Sequence, residues 1–406
     1  MTRTATGTAA ALATVAACLL APSAQAVSAQ PDPTAAAPDF HAWNGHRGLG
    51  QGVLAGGAVR AADAVTLRRG QAEGSWTSQA YRTPTAFTQL VPSWQARTPK
   101  GSWLESQVSV EVNGSWSRWY QLGEWASDAT GGHRRSVDGQ QDAHGSVSTD
   151  TYLAPATGPA SAYRLRVVLH GGGDGRAPRV RQLAATTSTP LKKDRPTSAT
   201  TMRRTVELRV PQYSQVVHRD EYPEYDGGGG SWCSPTSTQM VVEYHGRGPS
   251  RAQLRTLPPD PVFDRNGRKD PSVPWAAART YDPVFAGTGN WPFNTAYAAE
   301  YGLDASVRRL ASLAEAEAWI RRGVPLVTSV RWDNTSNDPN RHLDGAAIAR
   351  TSGHLMVIRG FTASGDPIVN DPAFRDNAGV RHVYRRDQFE RAWFHGSDAT
   401  AYVIQR

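Results

Sequence analysis

The sequence contains only two cysteines, no long apolar run and no metal- or nucleotide-binding motif. No apolar stretch approaches the about 20 residues that a membrane-spanning helix needs. A His-Glu-x-x-His motif and a glycine-rich phosphate loop ending in Lys-Ser or Lys-Thr are both missing. We therefore expect no stable membrane span, no bound metal and no cofactor.

The composition is that of a folded chain with a moderately basic surface. Its 406 residues suffice for two or three domains, and 39% of them are hydrophobic, which excludes a disordered chain. The formal charge is +8, from 44 basic and 36 acidic residues, but the basic residues form no dense stripe along the sequence. On that account we expect no nucleic-acid partner.

The first 26 residues have the pattern of a signal peptide. A positive start precedes small apolar residues at 9–20, and the Ala-Gln-Ala segment at 24–26 fits the cleavage rule. The apolar run has about a dozen residues, too few for a membrane anchor. We expect a secreted protein, extracellular or associated with the cell wall, whose mature chain begins at Val27.

Composition and periodicity divide the remaining chain into four parts. These are a disordered leader (27–39), a β-rich domain (40–187), a polar linker (188–205) and an α+β domain (206–406). In the β-rich domain, alternating runs at 107–112 and 163–169 are separated by turn residues, and Asn113-Gly114 is typical of a hairpin. We predict a jelly-roll-like β-sandwich there.

The α+β prediction for the last part depends on helix signals followed by strand signals. Residues 236–244 have helical character, and Ser312 begins a capping box that predicts a helix through Arg322. Four segments have strand character, at 206–210, 325–330, 355–361 and 367–369.

Seven of the 13 tryptophans fall in the β-rich domain: Trp43, Trp76, Trp94, Trp103, Trp116, Trp119 and Trp125. Flat rings of this kind either fill the core and edges of a sandwich or form a face that binds carbohydrate. We favour the core, because tryptophan is largely buried on average. A cell-wall polymer or glycan remains the candidate ligand of this domain.

The residues with the clearest chemistry surround Cys233, the one cysteine left once Cys18 is removed with the signal peptide. No internal disulfide is then possible, and a single thiol in a secreted protein is a candidate nucleophile. A flexible glycine run at 227–230 precedes it, and Pro235 suits the first turn of a helix. The unpaired N–H groups at a helix start favour the thiolate form of a cysteine.

A base and its orienting partner are expected from two later strands. His354 begins the apolar strand at 355–358, and Asp371 follows the next strand, 17 residues on. The Asp would hold the imidazole in the required tautomer, although the adjacent Asn370 is an alternative. Only one of the two can serve, since successive strand residues face opposite sides. His245 lies about 18 Å along the cysteine helix, too far to be the base.

These residues resemble the C39-like family of papain-fold cysteine peptidases. The likeness extends over about 206–406 and depends on Val210-Pro211, Trp232-Cys233-Ser234-Pro235-Thr236-Ser237, Gly353-His354 and Asp371-Pro372, in that order. The family commonly has Cys-Gly-Pro where this chain has Cys-Ser-Pro. The resemblance implies a papain-like fold with Cys233 as nucleophile, His354 as general base and acid, and Asp371 as orienter. It also implies an oxyanion-hole glutamine, for which Gln215 fits best and Gln212 competes.

We therefore expect a secreted, monomeric cysteine peptidase that acts on a peptide or protein substrate. A thiol-dependent peptidoglycan amidase, an acyltransferase and a catalytically inactive surface-binding protein are the alternatives. The aromatic segment 287–294 either lines the substrate cleft or packs within a long loop.

Overall fold

Short alternating strands with glycine and asparagine turns produce a β-rich N-terminal half in a computed structural model of the chain. The structure describes residues 37–190 and 195–406, and all of these belong to one compact unit. The predicted signal peptide, the leader up to residue 36 and residues 191–194 of the predicted linker lie outside the described residues.

Residues 39–188 form fifteen strands, one short α-helix and one 3-10 helix at Thr130–Gly132. The α-helix, α1, is Gly45–Gly50. The strands are β1 Asp39–Asn44, β2 Val53–Gly56, β3 Ala58–Ala61, β4 Ala64–Leu67, β5 Glu73–Thr77, β6 Tyr81–Phe87, β7 Gln89–Arg97, β8 Trp103–Val112, β9 Ser115–Trp116, β10 Tyr120–Trp125, β11 Gln141–Asp142, β12 Gly145–Ser148, β13 Thr151–Leu153, β14 Ala160–His170 and β15 Arg179–Ser188.

These strands pair antiparallel in two separate sheets. One has the order β11-β12-β13-β7-β15-β4-β3, with β1 also on β15; the other has the order β10-β8-β14-β5-β2, with β6 on β14 and β9 on β8. The first strand begins at Asp39, one residue inside the predicted leader, and pairs Asp39 with Thr187. We call residues 37–190 the two-sheet domain.

Four of the seven tryptophans of this domain are buried, as expected for a core: Trp43, Trp76, Trp94 and Trp125. The other three are half-buried and stack on neighbouring side chains. Trp103 lies between the rings of His133 and His170. Trp116 and Trp119 contact the guanidinium groups of Arg164 and Arg166.

The C-terminal half combines helices with a third antiparallel sheet. Its helices are α2 Cys233–Tyr244, α3 Arg251–Leu254, α4 Pro261–Arg265, α5 Ser272–Thr280, α6 Trp291–Glu300, α7 Leu313–Arg321 and α8 Arg386–Ser397. Its strands are β16 Val206–Glu207, β17 Asp304–Arg309, β18 Leu326–Asp333, β19 Arg350–Phe361, β20 Pro367–Asn370, β21 Arg381–Val383 and β22 Thr400–Gln405. The sheet order is β17-β22-β18-β19-β20-β21, with β16 on β19.

The element signals in this half locate the main helices and strands, with shifted ends. Helix α2 begins at Cys233, as expected for a cysteine at a helix start, and continues through the helical stretch predicted at 236–244. Ser312 caps α7 by accepting a 3.2 Å hydrogen bond from the Glu315 amide. The strand predicted at 206–210 is only two residues long.

The described part of the predicted linker is hydrogen-bonded to the C-terminal half. The amides of Ser198 and Thr201 each donate a 2.7 Å hydrogen bond, to Glu390 and Glu317 respectively. Arg386 joins both ends of this network by donating to Glu317 and to the Ser198 carbonyl. Residues 198–201 are therefore fixed on that surface.

The two-sheet domain and the C-terminal half share a buried interface. Phe293 of α6 packs against Trp94 and Trp125, at ring-centroid distances of 6.1 and 5.3 Å. Val307 of β17 is bonded through its amide to Ser93 and through its carbonyl to Thr186. Because these contacts combine packed aromatic rings with buried hydrogen bonds, the two parts meet in a fixed orientation.

Candidate active site

Cys233 lies half-buried at the first position of α2, after a turn that glycine makes possible. Gly227 and Gly228 have positive φ angles of 74° and 94°, which favour glycine. At Gly229 a Cβ would meet the Gln215 carbonyl oxygen at 2.3 Å. The glycine run, predicted as a flexible lead, is thus closely packed at Gly228 and Gly229, whereas Gly227 and Gly230 are exposed. Its packed part lies against the 3-10 helix Gln215–His218.

His354 and Asp371 lie beside the cysteine on neighbouring strands. The Nε2 atom of His354 is 2.7 Å from Oδ1 of Asp371, and both side chains are buried. Cys233 and His354 line the same cavity, and the side chain of Cys233 acts electrostatically on the imidazole. Since Asp371 occupies Nε2, Nδ1 is the ring nitrogen that remains for the sulfur.

Asn370 points away from the histidine, as strand alternation requires. Its Nδ2 donates a 2.8 Å hydrogen bond to the Pro211 carbonyl, and its Oδ1 accepts one of 2.9 Å from Arg359. Of the two candidates for orienting His354, only Asp371 contacts the ring.

The buried pair has strongly coupled protonation. Burial opposes a charge on His354, but the charge and hydrogen bond of Asp371, together with Cys233, raise the pKa of the imidazole to about 10. Burial alone would raise the pKa of Asp371, yet His354, the Ala373 amide and the Tyr384 hydroxyl lower it below its ordinary value. The site therefore favours an imidazolium held against a carboxylate.

Of the two glutamine candidates, Gln215 lies in the cavity and Gln212 does not. Gln215 lines the same cavity as Cys233 and donates a 2.7 Å hydrogen bond from Nε2 to the Gly230 carbonyl. One N–H of that amide remains for another acceptor. Gln212 is engaged elsewhere, donating to the Asn377 carbonyl and accepting from Arg359.

The departure from Cys-Gly-Pro is accommodated by a buried tyrosine. The Ser234 hydroxyl lies 2.9 Å from the Tyr402 hydroxyl, and both side chains are inaccessible to solvent. The serine side chain therefore points into the core, away from the cysteine cavity, and its polar atom is satisfied.

A cavity of about 910 Å³ opens over the thiol. Gln215, Cys233 and His354 lie on its wall. The loop before α6 contributes Phe285, Gly287 and Gly289, and Trp291 at the start of α6 completes this side. The segment 287–294 thus serves in both of the expected ways. Its first part lines the cavity, while Asn290 caps α6 and Phe293 packs in the interface.

Two residues around the histidine carry no signal in the sequence. Tyr384 donates a 2.7 Å hydrogen bond to Oδ2 of Asp371, and Trp332 packs edge-on against His354 with a centroid distance of 5.4 Å. Neither belongs to a motif, and each reaches the site through strand pairing in the third sheet. Sequence reasoning missed both for that reason.

Metal ligation and membrane crossing have no support in the described residues. Nowhere in 37–190 or 195–406 do three His, Cys, Asp or Glu side chains cluster so as to hold a metal ion. Within those same ranges no helix combines the length and the apolar character that a bilayer crossing requires.

Three comparisons relate this chain to known proteins. A protein from Bacillus anthracis described as a candidate C39-like peptidase is 16% identical, over 50% of this chain and 98% of that one, with a TM-score of 0.31. A family two carbohydrate esterase from Cellvibrio japonicus is 14% identical, over 39% of this chain and 38% of that one, with a TM-score of 0.20. TmCBM61, solved with β-1,4-galactotriose, is 13% identical over 37% of this chain and 88% of that one, with a TM-score of 0.19. No curated protein matches the chain.

Two family models match adjoining parts of the sequence. Residues 37–188 match an actinobacterial-type Peptidase C39 N-terminal domain. Residues 207–399 match the Peptidase C39-like family. The protein therefore belongs to the C39-like peptidase family.

Proposed function

We propose that this protein is a cysteine peptidase that hydrolyses amide bonds through Cys233, His354 and Asp371. The observation that carries the proposal is the 2.7 Å hydrogen bond between His354 and Asp371, with Cys233 acting on the same imidazole and lining the same open cavity as His354. A thiol beside an imidazolium is a strong nucleophile near neutral pH, whereas a free cysteine thiol has a pKa of about 8.5. Family membership is consistent with peptidase activity.

In the proposed mechanism the Cys233 thiolate attacks the carbonyl carbon of the substrate and forms a C–S bond. The developing oxyanion accepts hydrogen bonds from the Cys233 amide and from the remaining N–H of Gln215. The C–N bond then breaks as the His354 imidazolium donates its proton to the leaving amine. Water, deprotonated by His354, attacks the thioester, and the C–S bond breaks to release the carboxylate product and restore the thiolate.

The proposal extends to location, fold and ligand. The pattern in residues 1–26 supports export, so the enzyme would act outside the cell or at its wall. The nested pairs β7–β15 and β8–β14, one in each sheet, support a jelly-roll-like sandwich. A catalytic helix packed on a sheet that carries His and Asp supports a papain-like domain. A peptide or protein is the proposed substrate, and a monomer the proposed state.

The test measures the pH dependence of iodoacetamide labelling at Cys233, together with hydrolysis of a peptide library. In the mature protein, labelling should be fast well below pH 8.5 and should slow markedly in His354→Ala, because the imidazolium is lost. Hydrolysis should disappear in Cys233→Ala and fall by about 10³-fold or more in His354→Ala. Asn370→Ala, which changes the neighbouring residue outside the triad, is the matched control and should retain catalysis.

The outcomes separate the alternatives. If an amine added to the reaction becomes attached to the acyl product, the enzyme transfers acyl groups. If new amino groups appear with peptidoglycan as substrate but not with peptides, the enzyme is a peptidoglycan amidase. Labelling that is slow and the same in wild type and His354→Ala would refute the Cys–His pair. Surface binding that survives Cys233→Ala, without hydrolysis in the wild type, would identify an inactive binding protein.

A further inference from the structure

The cysteine cavity continues into a second cavity at the border of the two-sheet domain. This second cavity has a volume of about 350 Å³. Phe285, Gly289, Trp291 and Gly396 line both cavities, so the two adjoin across Phe285 and Trp291. On its far side the second cavity is lined by the two-sheet domain, with Ser148–Leu153 forming most of that wall.

The loop between the cavities, which contains Phe285 and Gly289, is hydrogen-bonded to the two-sheet domain. Asp282, fully buried, accepts hydrogen bonds of 3.0–3.1 Å from the Ser136 amide of the two-sheet domain. The same carboxylate accepts from the amides of Val284 and Phe285 and from the side chain of Asn290. One carboxylate therefore fixes both ends of the loop and anchors it to the neighbouring domain.

A second buried carboxylate, Asp150, holds the chain directly after that loop. Oδ2 of Asp150, in the two-sheet domain, accepts a 2.9 Å hydrogen bond from the Trp291 amide at the start of α6. Burial raises the pKa of Asp150 to about 6. Above that pH its charge faces the N-terminus of α6, where a negative charge is favourable. The wall between the cavities is thus rigid before any ligand arrives.

Phe285 on this wall and Ile348, elsewhere on the cysteine cavity, present apolar side chains to solvent. Five large hydrophobic side chains are exposed in the described residues, among them Phe285 at 46% and Ile348 at 38%, which both line the cysteine cavity. A Cβ at Gly287 would meet the Phe285 ring at 2.7 Å, so glycine there lets the ring lie across the loop. An exposed aromatic ring in a fixed orientation at a cleft is typical of a ligand contact.

We infer that the second cavity binds the distal part of an extended peptide substrate, and that Ser148–Leu153 of the two-sheet domain is a substrate-binding element. The inference rests on the proposed function. The substrate would place a bulky apolar residue between Phe285 and Ile348 and continue across Trp291. Beyond that point the wall is polar: Ser148 and Thr149 carry hydroxyl groups, and Asp150, Arg309 and Asp398 carry ionisable groups, so it suits a polar peptide segment.

The experiment measures equilibrium binding to the Cys233→Ala protein, which holds peptides without cleaving them. The probes are fluorescein-labelled peptides of about 5 and about 12 residues, with Phe or Leu in the centre; the longer one extends about 40 Å. The longer peptide should bind about tenfold more tightly, since it alone reaches the second cavity. Phe285→Ala should weaken binding of both.

Ser148→Trp is the decisive variant, because Ser148 is exposed and a tryptophan there fills the second cavity from the side of the two-sheet domain. It should remove most of the advantage of the longer peptide and leave the shorter one unchanged. Gln141→Trp, at an exposed strand position outside both cavities, is the matched control. Thermal unfolding checks that each variant folds.

Equal affinity for the two lengths, or no effect of Ser148→Trp on the longer peptide, would overturn the inference. Iodoacetamide labelling keeps that result separate from the proposed function. Fast labelling that depends on His354, without length-dependent binding, would leave the peptidase standing and the distal subsite refuted. Length-dependent binding without such labelling would support the cleft and refute the catalytic pair.

Discussion

The hydroxyl of Tyr384 donates a 2.7 Å hydrogen bond to Asp371, on the carboxylate oxygen that His354 does not use. Asp371 is therefore held on both sides, and its Oδ1 also accepts from the Ala373 amide. Burial and the charge of Asp371 raise the pKa of Tyr384 far above its ordinary value, so the phenol remains a donor at every working pH. Tyr384 is thus a positioning residue for the acid that orients the histidine.

Removing the Tyr384 hydroxyl should slow catalysis without abolishing it. Tyr384→Phe deletes one hydrogen bond to a charged group, worth about 1.5–3 kcal/mol, and leaves Asp371 less firmly oriented. We expect kcat to fall by about tenfold with little change in KM. The acid limb of the pH profile should move to higher pH, because the loss of a donor raises the pKa of Asp371.

The matched control is Tyr244→Phe, which removes a similar hydroxyl from the far end of α2, where it donates to the Gly323 carbonyl. Both variants should lose some thermal stability. An identical pH profile in Tyr384→Phe and wild type would mean that the tyrosine is structural only.

How much of this site the sequence predicts depends on whether a residue belongs to a local pattern. Cys233 follows a glycine run and precedes a helix, and His354 and Asp371 flank apolar strands, so each has a signal within a few residues. Tyr384 and Trp332 have none, because only the pairing of distant strands brings them to the histidine. The periodicity of a sequence does not predict which residues come into contact across a sheet.

The same distinction applies to the fold. Alternation and turn residues predict strands in the N-terminal half, and these are present. The sequence pattern did not reveal that Asp150 and Asp282 join the two halves at the cleft, since each resembles an ordinary turn residue. A buried carboxylate between domains is recognisable only when its partners are seen.

The protonation of His354 predicts how stability changes with pH. Its folded pKa of about 10 lies above its ordinary value of 6.5. Between those values the native state holds a proton that the unfolded chain has released, so the free energy of unfolding should fall as pH rises from 6.5 to 10. Below pH 6.5 this contribution is fully present.

Thermal unfolding of wild type and His354→Gln across this pH range tests the prediction. A tenfold difference in proton affinity is about 1.4 kcal/mol, which shifts Tm by about 3–6 °C in a domain of about 200 residues. The wild-type Tm should therefore decline more steeply than that of His354→Gln. Parallel curves would show that the imidazole is not stabilised in its charged form.

The two glutamines offer a matched pair for the oxyanion hole. Gln215→Ala should lower kcat by about 10²-fold with little effect on iodoacetamide labelling, because alkylation passes through no oxyanion. Gln212→Ala removes an amide of the same kind that is bonded to Asn377 and Arg359 outside the cavity. It should cost stability, about 1–2 kcal/mol, and leave kcat within about twofold.

Comparing kcat, labelling rate and Tm in these two variants separates catalysis from folding. If Gln215→Ala slows labelling as much as hydrolysis, the side chain supports the position of Cys233 through the Gly230 carbonyl and does not contact the oxyanion. If Gln212→Ala loses kcat and retains Tm, the oxyanion assignment belongs to Gln212. The expected pattern is a loss of kcat alone for Gln215 and a loss of stability alone for Gln212. That pattern requires Gln215 to keep one N–H directed into the cavity while its other N–H holds the glycine turn.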